Sequence, residues 1–592
     1  MTTPVSEYQF RLNARQVALT ATESISQRFW VWRRIIFITI PILIALAVED
    51  LLHPALIAIP ILIFLILMVR HQTVRRREAH YRRAVGYYQA CLARINHQWS
   101  GTGVTGENLI NPQHPYAVDL DIFGPGSLFE LLCQARTQAG EGRLASWLLN
   151  PADPVTISTR QEAITELRDH LDLREDLALL GDDVRSAIDD HSLTTWAAGA
   201  EIQINRLAPF VALILGLASF TSIILWFAAG YRTLALAAIL VESLFIFFYR
   251  QRIWAITSAI DRPGRELVLL AGILARIEQE QVSEGPLADI RRRLEIEGEA
   301  PSRQIRRLSR LVEILDSTRN QFFAPFAFAL LIPAQLAFAI ERWRIISGRS
   351  IQPWIDAVAE LEALSSLAGF AFENPEHVFP EIVEGGVCYE ATALGHPLLP
   401  AERCVRNDIS LGAPLRALIV SGSNMSGKST MMRTIGINAV LAFAGAPVRA
   451  TRLRLSPLTI GASIQIQDSL QSGASRFYAE ITRLKQIVEL TNGSLPLLFL
   501  LDEILSGTNS HDRRIGAEAI IRGLVERGAI GLMTTHDLAL TRMVDGLGDR
   551  AANVHFEDHL EDGKMVFDYR MHPGVVTHSN ALELMRTVGL EV

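Results

Sequence analysis

Leu207 to Ala229 runs for 23 residues without a charged side chain. Such a stretch satisfies its backbone in lipid only as a helix, and its length matches the roughly 17–25 apolar residues that cross a bilayer. Tyr231-Arg232 reads as a tight turn, and Leu234 to Tyr249 runs back. Glu242 interrupts that return and is expected to face a neighbouring helix rather than lipid. Arg206 precedes the hairpin and Arg250 and Arg252 follow it, so both ends are expected on the cytoplasmic side. An earlier hairpin has the same plan. Ile35 to Val48 and Leu51 to Val69 are apolar apart from Thr39 and His53, with Glu49-Asp50 at the turn. Arg33 and Arg34 stand before it, and Arg70, Arg75, Arg76 and Arg77 after it. Phe322 to Ile340 also lacks charge, but it carries Pro325, Pro333 and Gln335. A fifth crossing would put the rest of the chain outside, so this segment reads as a buried or membrane-grazing helix.

Charge and cysteine content narrow the remaining classes. The 592 residues are 49% hydrophobic and 20% charged, which excludes a disordered chain, and 56 basic against 63 acidic side chains, a net charge of −7, argue against a generally basic nucleic-acid coat while leaving room for a local basic face. Cys91, Cys133, Cys388 and Cys404 lie far apart with no C-x-x-C pattern, so neither a zinc cluster nor a redox pair is indicated.

The C-terminal third holds the chemistry. Ala417-Leu418-Ile419-Val420 reads as a buried strand, followed by Gly422-Ser423-Asn424-Met425-Ser426-Gly427-Lys428-Ser429-Thr430. This is G-x-x-x-x-G-K-[ST] in the setting the pattern requires, after a strand and before a helix. The glycines let backbone N–H groups turn inward on phosphate oxygens, and the helix N-terminus favours an anion. Lys428 is expected to reach the β- and γ-phosphates, and Ser429 to join Mg²⁺. Leu497 to Leu501 reads as a second fully buried strand, ending in Asp502-Glu503. Asp502 suits the metal shell, and Glu503 suits polarising the attacking water. Ile530 to Thr535 reads as a third strand, ending at His536, which is placed to sense the γ-phosphate.

From about Gly395 to Leu590 the sequence resembles the ATPase domain of the MutS family of DNA mismatch-repair proteins, relatives of the ABC-type ATPases. The resemblance is carried by Gly422–Thr430, Ser472-Gly473-Ala474-Ser475-Arg476-Phe477, Leu501-Asp502-Glu503, Gly507-Thr508-Asn509-Ser510-His511-Asp512 and Thr535-His536. Gly395-His396-Pro397, Asn407-Asp408, Asn553-Val554-His555-Phe556 and His578-Ser579-Asn580 match more loosely. It implies ATP and Mg²⁺ as cofactors and a homodimer in which Ser472, Gly473 and Ser475 act on the partner's nucleotide, with Asn509 and Asp512 in a loop at the dimer contact. Further back, Gly126–Leu132, Gly142–Leu149 and Gln161–Leu167 are similar to the start of the family's helical core, or lever.

The departures from the family are large. Only about 120 residues precede the core, a membrane hairpin fills much of them, and no Phe-x-Glu reader motif stands in a suitable setting. Where a DNA clamp is expected, the chain holds the second hairpin and an arginine-bearing stretch with Arg291, Arg292, Arg293, Arg303, Arg306, Arg307 and Arg310. Those arginines read first as a solvated face, then as a headgroup contact beside the membrane, and last as a contact to nucleic-acid phosphates. The expected fold is multidomain, α and α/β, with two transmembrane hairpins, an all-α core and a C-terminal P-loop ATPase domain. Its divisions are 1–100 with a hairpin at about 35–69, 101–200 as the first core segment, 201–252 as the second hairpin, 253–390 as the core continuation and 391–592 as the ATPase. The expected protein is a multi-pass ATPase of the cytoplasmic membrane with its ATPase domain facing the cytoplasm. Its partners are a second copy and the lipid bilayer, with duplex DNA left open. The alternatives are a mechanochemical or scaffold ATPase that reads no mismatches, and a transporter-like ATPase.

Overall fold

The computed structural model describes residues 3–51, 53–180, 190–260, 263–280, 284–294, 299–319, 324–423, 426–465, 476–561 and 564–576. The chain packs as two compact units: residues 1–132, 369–442 and 447–592 in one, residues 133–368 and 443–446 in the other. The first helix pair therefore belongs with the sheets, although the sequence sets it apart as a separate region.

In the sheet-bearing unit, helices Pro4–Val48 and Ala58–Ile95 run antiparallel. Tyr8 meets Tyr88, Arg82 meets Glu23, and Phe37 meets Phe64, so the register holds from base to tip. At 45 residues the first helix extends about 68 Å. It ends where Asp50 turns left-handed (φ 56°), and Pro54 opens a short 3-10 turn before the second helix. The base is locked by a buried group: Arg94 Nη2 donates to Glu373 Oε1 at 2.6 Å, and the Tyr8 hydroxyl lies 3.5 Å from the same oxygen.

Strands follow in the order β1 (Glu381–Ile382), β2 (Tyr389–Leu394), β3 (Asn407–Leu411), β4 (Ala417–Ser421), β5 (Arg452–Leu455), β6 (Thr459–Ser463), β7 (Leu497–Asp502), β8 (Ile530–Thr535), β9 (Ala551–Glu561) and β10 (Lys564–Pro573). One sheet has the order β1-β5-β2-β3, the other β10-β9-β4-β8-β7-β6. In the larger sheet β9, β4, β8, β7 and β6 are parallel and β10 is an antiparallel edge. β4 and β8 are buried along their whole length, which fits the apolar runs that fill most of each strand. On one face Ile419, Phe499, Leu501 and Met533 pack with Ile521 and Leu524 of helix Ser510–Glu526 and with Ile487 of helix Arg476–Leu490. The alternate residues face the other way, where Gly436 of helix Lys428–Ala444 approaches Leu500 so closely that an added Cβ would lie 2.9 Å from it.

The other unit is helical. Two of its helices start on side-chain caps: Thr137 Oγ1 accepts the Gly140 N–H, and Asp153 Oδ1 accepts that of Thr156. Helices Ala208–Ala229 and Arg232–Ile260 form the second apolar hairpin, closed by Gly230 in the left-handed region, and Ser219 Oγ donates to Glu242 at 2.7 Å. Together with Pro4–Val48 and Ala58–Ile95 they are the four helices, among the described residues, long and apolar enough to cross a membrane. The apolar stretch 322–340 is broken rather than one helix. Within its described part, Ala324–Ala329 and Ile332–Ser347 are separated at Leu331, which is left-handed (φ 50°) two residues before Pro333. Proline disfavours helical backbone just ahead of it and supplies no N–H, so the helix restarts there. The break lies against Gly216, where a Cβ would come within 2.5 Å of the Leu330 carbonyl. Ala334 and Phe338 pack with Ala208, Ala212 and Phe245, so the second piece is buried against the hairpin, whereas Phe326 and Phe328 of the first are exposed.

Candidate functional site

The C-terminal ends of β4, β7 and β8 lie side by side, and the glycine-lysine loop leaves from the first of them. Ligand crevices of parallel sheets form at such ends. Gly422 (φ 149°) and Gly427 (φ 106°) adopt backbone that a side chain resists, and a Cβ on Gly427 would press within 3.1 Å of the Tyr569 ring. Ser426 and Lys428 are buried, and the helix starts at Lys428. Lys428 Nζ donates to the carbonyls of Gly422 (2.9 Å) and Ser423 (2.8 Å) and stands 3.6 Å from Glu503 Oε1. Burial pushes this ammonium's pKa down, while Glu503 and Asp502 pull it back up.

The two carboxylates have different partners. Asp502 Oδ2 accepts from Ser429 Oγ at 2.5 Å, and its other oxygen accepts from Thr534 Oγ1. Glu503 follows at φ 46°, a left-handed conformation that costs a non-glycine residue about 1–2 kcal/mol. That turn aims its carboxylate at Lys428 on one side and at His536 Nδ1, 3.2 Å away, on the other. Thr534 also accepts the Glu503 N–H at 3.1 Å. It holds both acids, and sequence reasoning passed over it as a strand residue. Its neighbour Thr535 carries the motif match, so the Thr-Thr-His run was the available signal.

Other predicted residues are placed less fully. Asn424, Met425, Ser472, Gly473 and Ser475 lie outside the described residues. Thr430 lines a cleft beside the loop. Asn509 caps helix Ser510–Glu526: its Oδ1 accepts the Asp512 N–H at 2.9 Å, and its Nδ2 donates to Asp512 Oδ2 at 2.7 Å. Both residues are exposed, which leaves their polar edges facing outward. Among the described residues no three or more His, Cys, Asp or Glu side chains gather to hold a metal ion.

The cleft beside Gly427 has a volume of about 520 Å³ and is lined by Leu394, Val405, Thr430, Thr434, Phe556 and Tyr569 among others. Tyr569 was not legible as a site residue; it arrives on the edge strand, held by Asn407, whose Nδ2 donates to its carbonyl at 3.0 Å. His396 also lines the cleft. Burial, with Arg433 and Arg449 nearby, pushes its pKa down to about 4. His377 is pushed to about 3 by burial and by Arg449 and Arg406. Both rings are neutral in the fold and take up protons on unfolding below their ordinary value of 6.5. The unfolded chain then binds more protons, so stability is complete above pH 6.5 and falls as pH drops toward 4. Between pH 6.5 and about 5 each ring accounts for a loss of about 2 kcal/mol. Thermal melts across that window should show it; a level midpoint would refute it.

Residues 418–591 match the family described as MutS domain V. DNA mismatch repair protein MutS 2 of Halobacterium salinarum is 34% identical over 245 residues, 40% of this chain and 28% of the relative. Endonuclease MutS2 of an Anaeromyxobacter species is 32% identical over 249 residues, 39% of this chain and 30% of the relative. DNA mismatch repair protein MutS of an Exiguobacterium species is 36% identical over 234 residues, 38% and 27% of the two chains. The chain thus spans under a third of the length of these curated relatives. The glycine-lysine loop, the Asp502-Glu503 pair and His536 all fall inside the matched region, so it is through residues 418–591 that this chain is similar to the MutS family.

Proposed function

We propose that this chain is a membrane-anchored ATPase that binds ATP with Mg²⁺ at the β4 loop and hydrolyses it as a dimer. The observation that carries the reading is the convergence at adjacent strand ends of three pairs: Lys428 3.6 Å from Glu503, Ser429 2.5 Å from Asp502 and His536 3.2 Å from Glu503. The Ser429 hydroxyl and the Asp502 carboxylate are hard oxygen donors, the protein share expected for Mg²⁺, which takes its other ligands from phosphates and water. When bound, the ion neutralises charge on the phosphates.

The remaining steps belong to the chain's own residues. Phosphate oxygens replace the Gly422 and Ser423 carbonyls as partners of Lys428, which frees its contact with Glu503. Glu503, released from the lysine and still held by His536, accepts the proton of the attacking water. The nucleobase end takes the cleft beside Gly427, against Tyr569. Ser472, Gly473 and Ser475 reach the nucleotide of the partner copy, and Asn509 and Asp512 meet that copy. The helices Pro4–Val48, Ala58–Ile95, Ala208–Ala229 and Arg232–Ile260 anchor the chain, with the ATPase on the cytoplasmic side.

The relatives' names point to DNA mismatch repair, and that supports a second reading with duplex DNA as effector. Arg303, Arg306 and Arg310 share one exposed face of helix Pro301–Ser317, a fitting surface for phosphates. ATP hydrolysis by the full chain in detergent, measured with duplex, mismatched duplex and vesicles, separates the readings. Stimulation by mismatched duplex above matched duplex favours the repair reading; stimulation by vesicles alone favours a membrane ATPase. A chain that takes up no ATP refutes both.

A further inference from the structure

The foot of the second hairpin holds a cleft of about 710 Å³, enough for a lipid headgroup and the first part of an acyl chain. It lies within the helical unit, between the segment that enters helix Ala208–Ala229 and the helix Ile332–Ser347. Ile204, Phe210, Leu213, Phe338, Ile345 and Ile346 line it. Phe210 is 67% exposed and Ile346 58%, so this apolar surface is uncovered where the hairpin begins.

The cationic groups of the cleft are uncommitted. Arg206 and Arg342 line it, are exposed, and have no hydrogen bond or ion pair among the described residues. The adjacent Glu341 does not neutralise them. It is buried and accepts from Arg344 Nη2 (2.7 Å), Arg344 Nε (2.9 Å) and the Ile202 N–H (2.8 Å). Arg344 in turn donates to the carbonyls of Gly199 (2.6 Å) and Ala200 (2.8 Å), which fixes the segment leading into the hairpin. Glu201 is the other acid lining the cleft, so one positive charge remains in excess.

We infer that this cleft holds one anionic phospholipid. Its phosphate lies between Arg206 and Arg342, and its proximal acyl chain lies against Phe210, Leu213 and Ile345. A free anion would use the arginines and leave the apolar wall wet; a neutral apolar ligand would leave both guanidinium groups unpaired. An amphiphile with a negative head satisfies both, and basic pockets at the cytoplasmic end of membrane helices take such headgroups. The inference rests on the membrane reading proposed above.

The test is native mass spectrometry of the full chain in detergent, offered phosphatidylglycerol or phosphatidylcholine, with inorganic phosphate as competitor. The wild type is expected to retain phosphatidylglycerol over phosphatidylcholine and to keep it in excess phosphate. Each of Arg206→Gln and Arg342→Gln should weaken retention about fivefold, and the pair about 25-fold, while the double lysine variant retains most of it. Unchanged melting of the single variants establishes that they are folded. Equal retention of the two lipids by the wild type, or undiminished retention by the glutamine variants, overturns the inference. Displacement by phosphate alone also overturns it, because that outcome marks a free-anion site. The membrane reading fails by a different result: a chain that stays soluble without detergent and floats with vesicles of neither lipid.

Discussion

Glu503→Gln is expected to bind ATP and to turn it over at least about a hundredfold more slowly than the wild type. The amide has the size and shape of the carboxyl, so the left-handed turn at residue 503 and the packing around it should survive. What is lost is the ability to take a proton. The amide also removes a negative charge 3.6 Å from Lys428, so nucleotide affinity should hold or rise. ATP-loaded dimers then accumulate, because the step that relaxes them is blocked. Light scattering with ATP and Mg²⁺ should show the doubled mass, and phosphate release should show the loss of turnover. Hydrolysis within a few-fold of the wild type would remove Glu503 from the role of base.

Lys428→Ala is expected to act one step earlier, on binding. The ammonium is the buried cation facing the loop, and losing a charged donor of this kind costs about 1.5–3 kcal/mol, or roughly 10- to 150-fold in affinity. The two defects differ in kind: the glutamine variant holds ATP and stalls, whereas the alanine variant does not fill. Removing the lysine also leaves the Gly422 and Ser423 carbonyls without their partner, a cost to folding of about 1 kcal/mol that a melt can measure separately. Wild-type affinity in a folded Lys428→Ala protein would reject the loop as the phosphate site.

Much of this centre was legible because its grammar is local. Ala417–Val420 and Leu497–Leu501 read as buried strands since both faces of a parallel sheet are covered. The glycine-lysine pattern between a strand and a helix left few alternatives for the loop. Local grammar does not extend to partners far along the chain. Asp119 shows the limit. Its carboxylate accepts the N–H groups of Ile464 (2.6 Å) and Gln465 (2.9 Å) and bonds Arg483 at 2.7 Å, tying an N-terminal loop to the strand end ahead of the serine-bearing segment. These partners stand 345 to 364 residues away, and an aspartate in a loop carries no mark of them. Tyr569 was hidden for the same reason, since its place beside Gly427 depends on where an edge strand pairs. The break at Leu331 was half visible: Pro333 was noted, but the contact with Gly216 that accommodates the broken turn belongs to another helix.

The sequence alone determined which segments are apolar enough for lipid, which strands are buried, and which loop carries the glycine-lysine pattern between a strand and a helix, because each follows from the order of neighbouring side chains. The tertiary structure decided that Thr534 clasps both acids, that Glu503 turns between Lys428 and His536, and that the first helix pair closes onto the unit carrying the sheets. Those outcomes depend on which distant residues share a buried volume, and chain topology, rather than local periodicity, sets that.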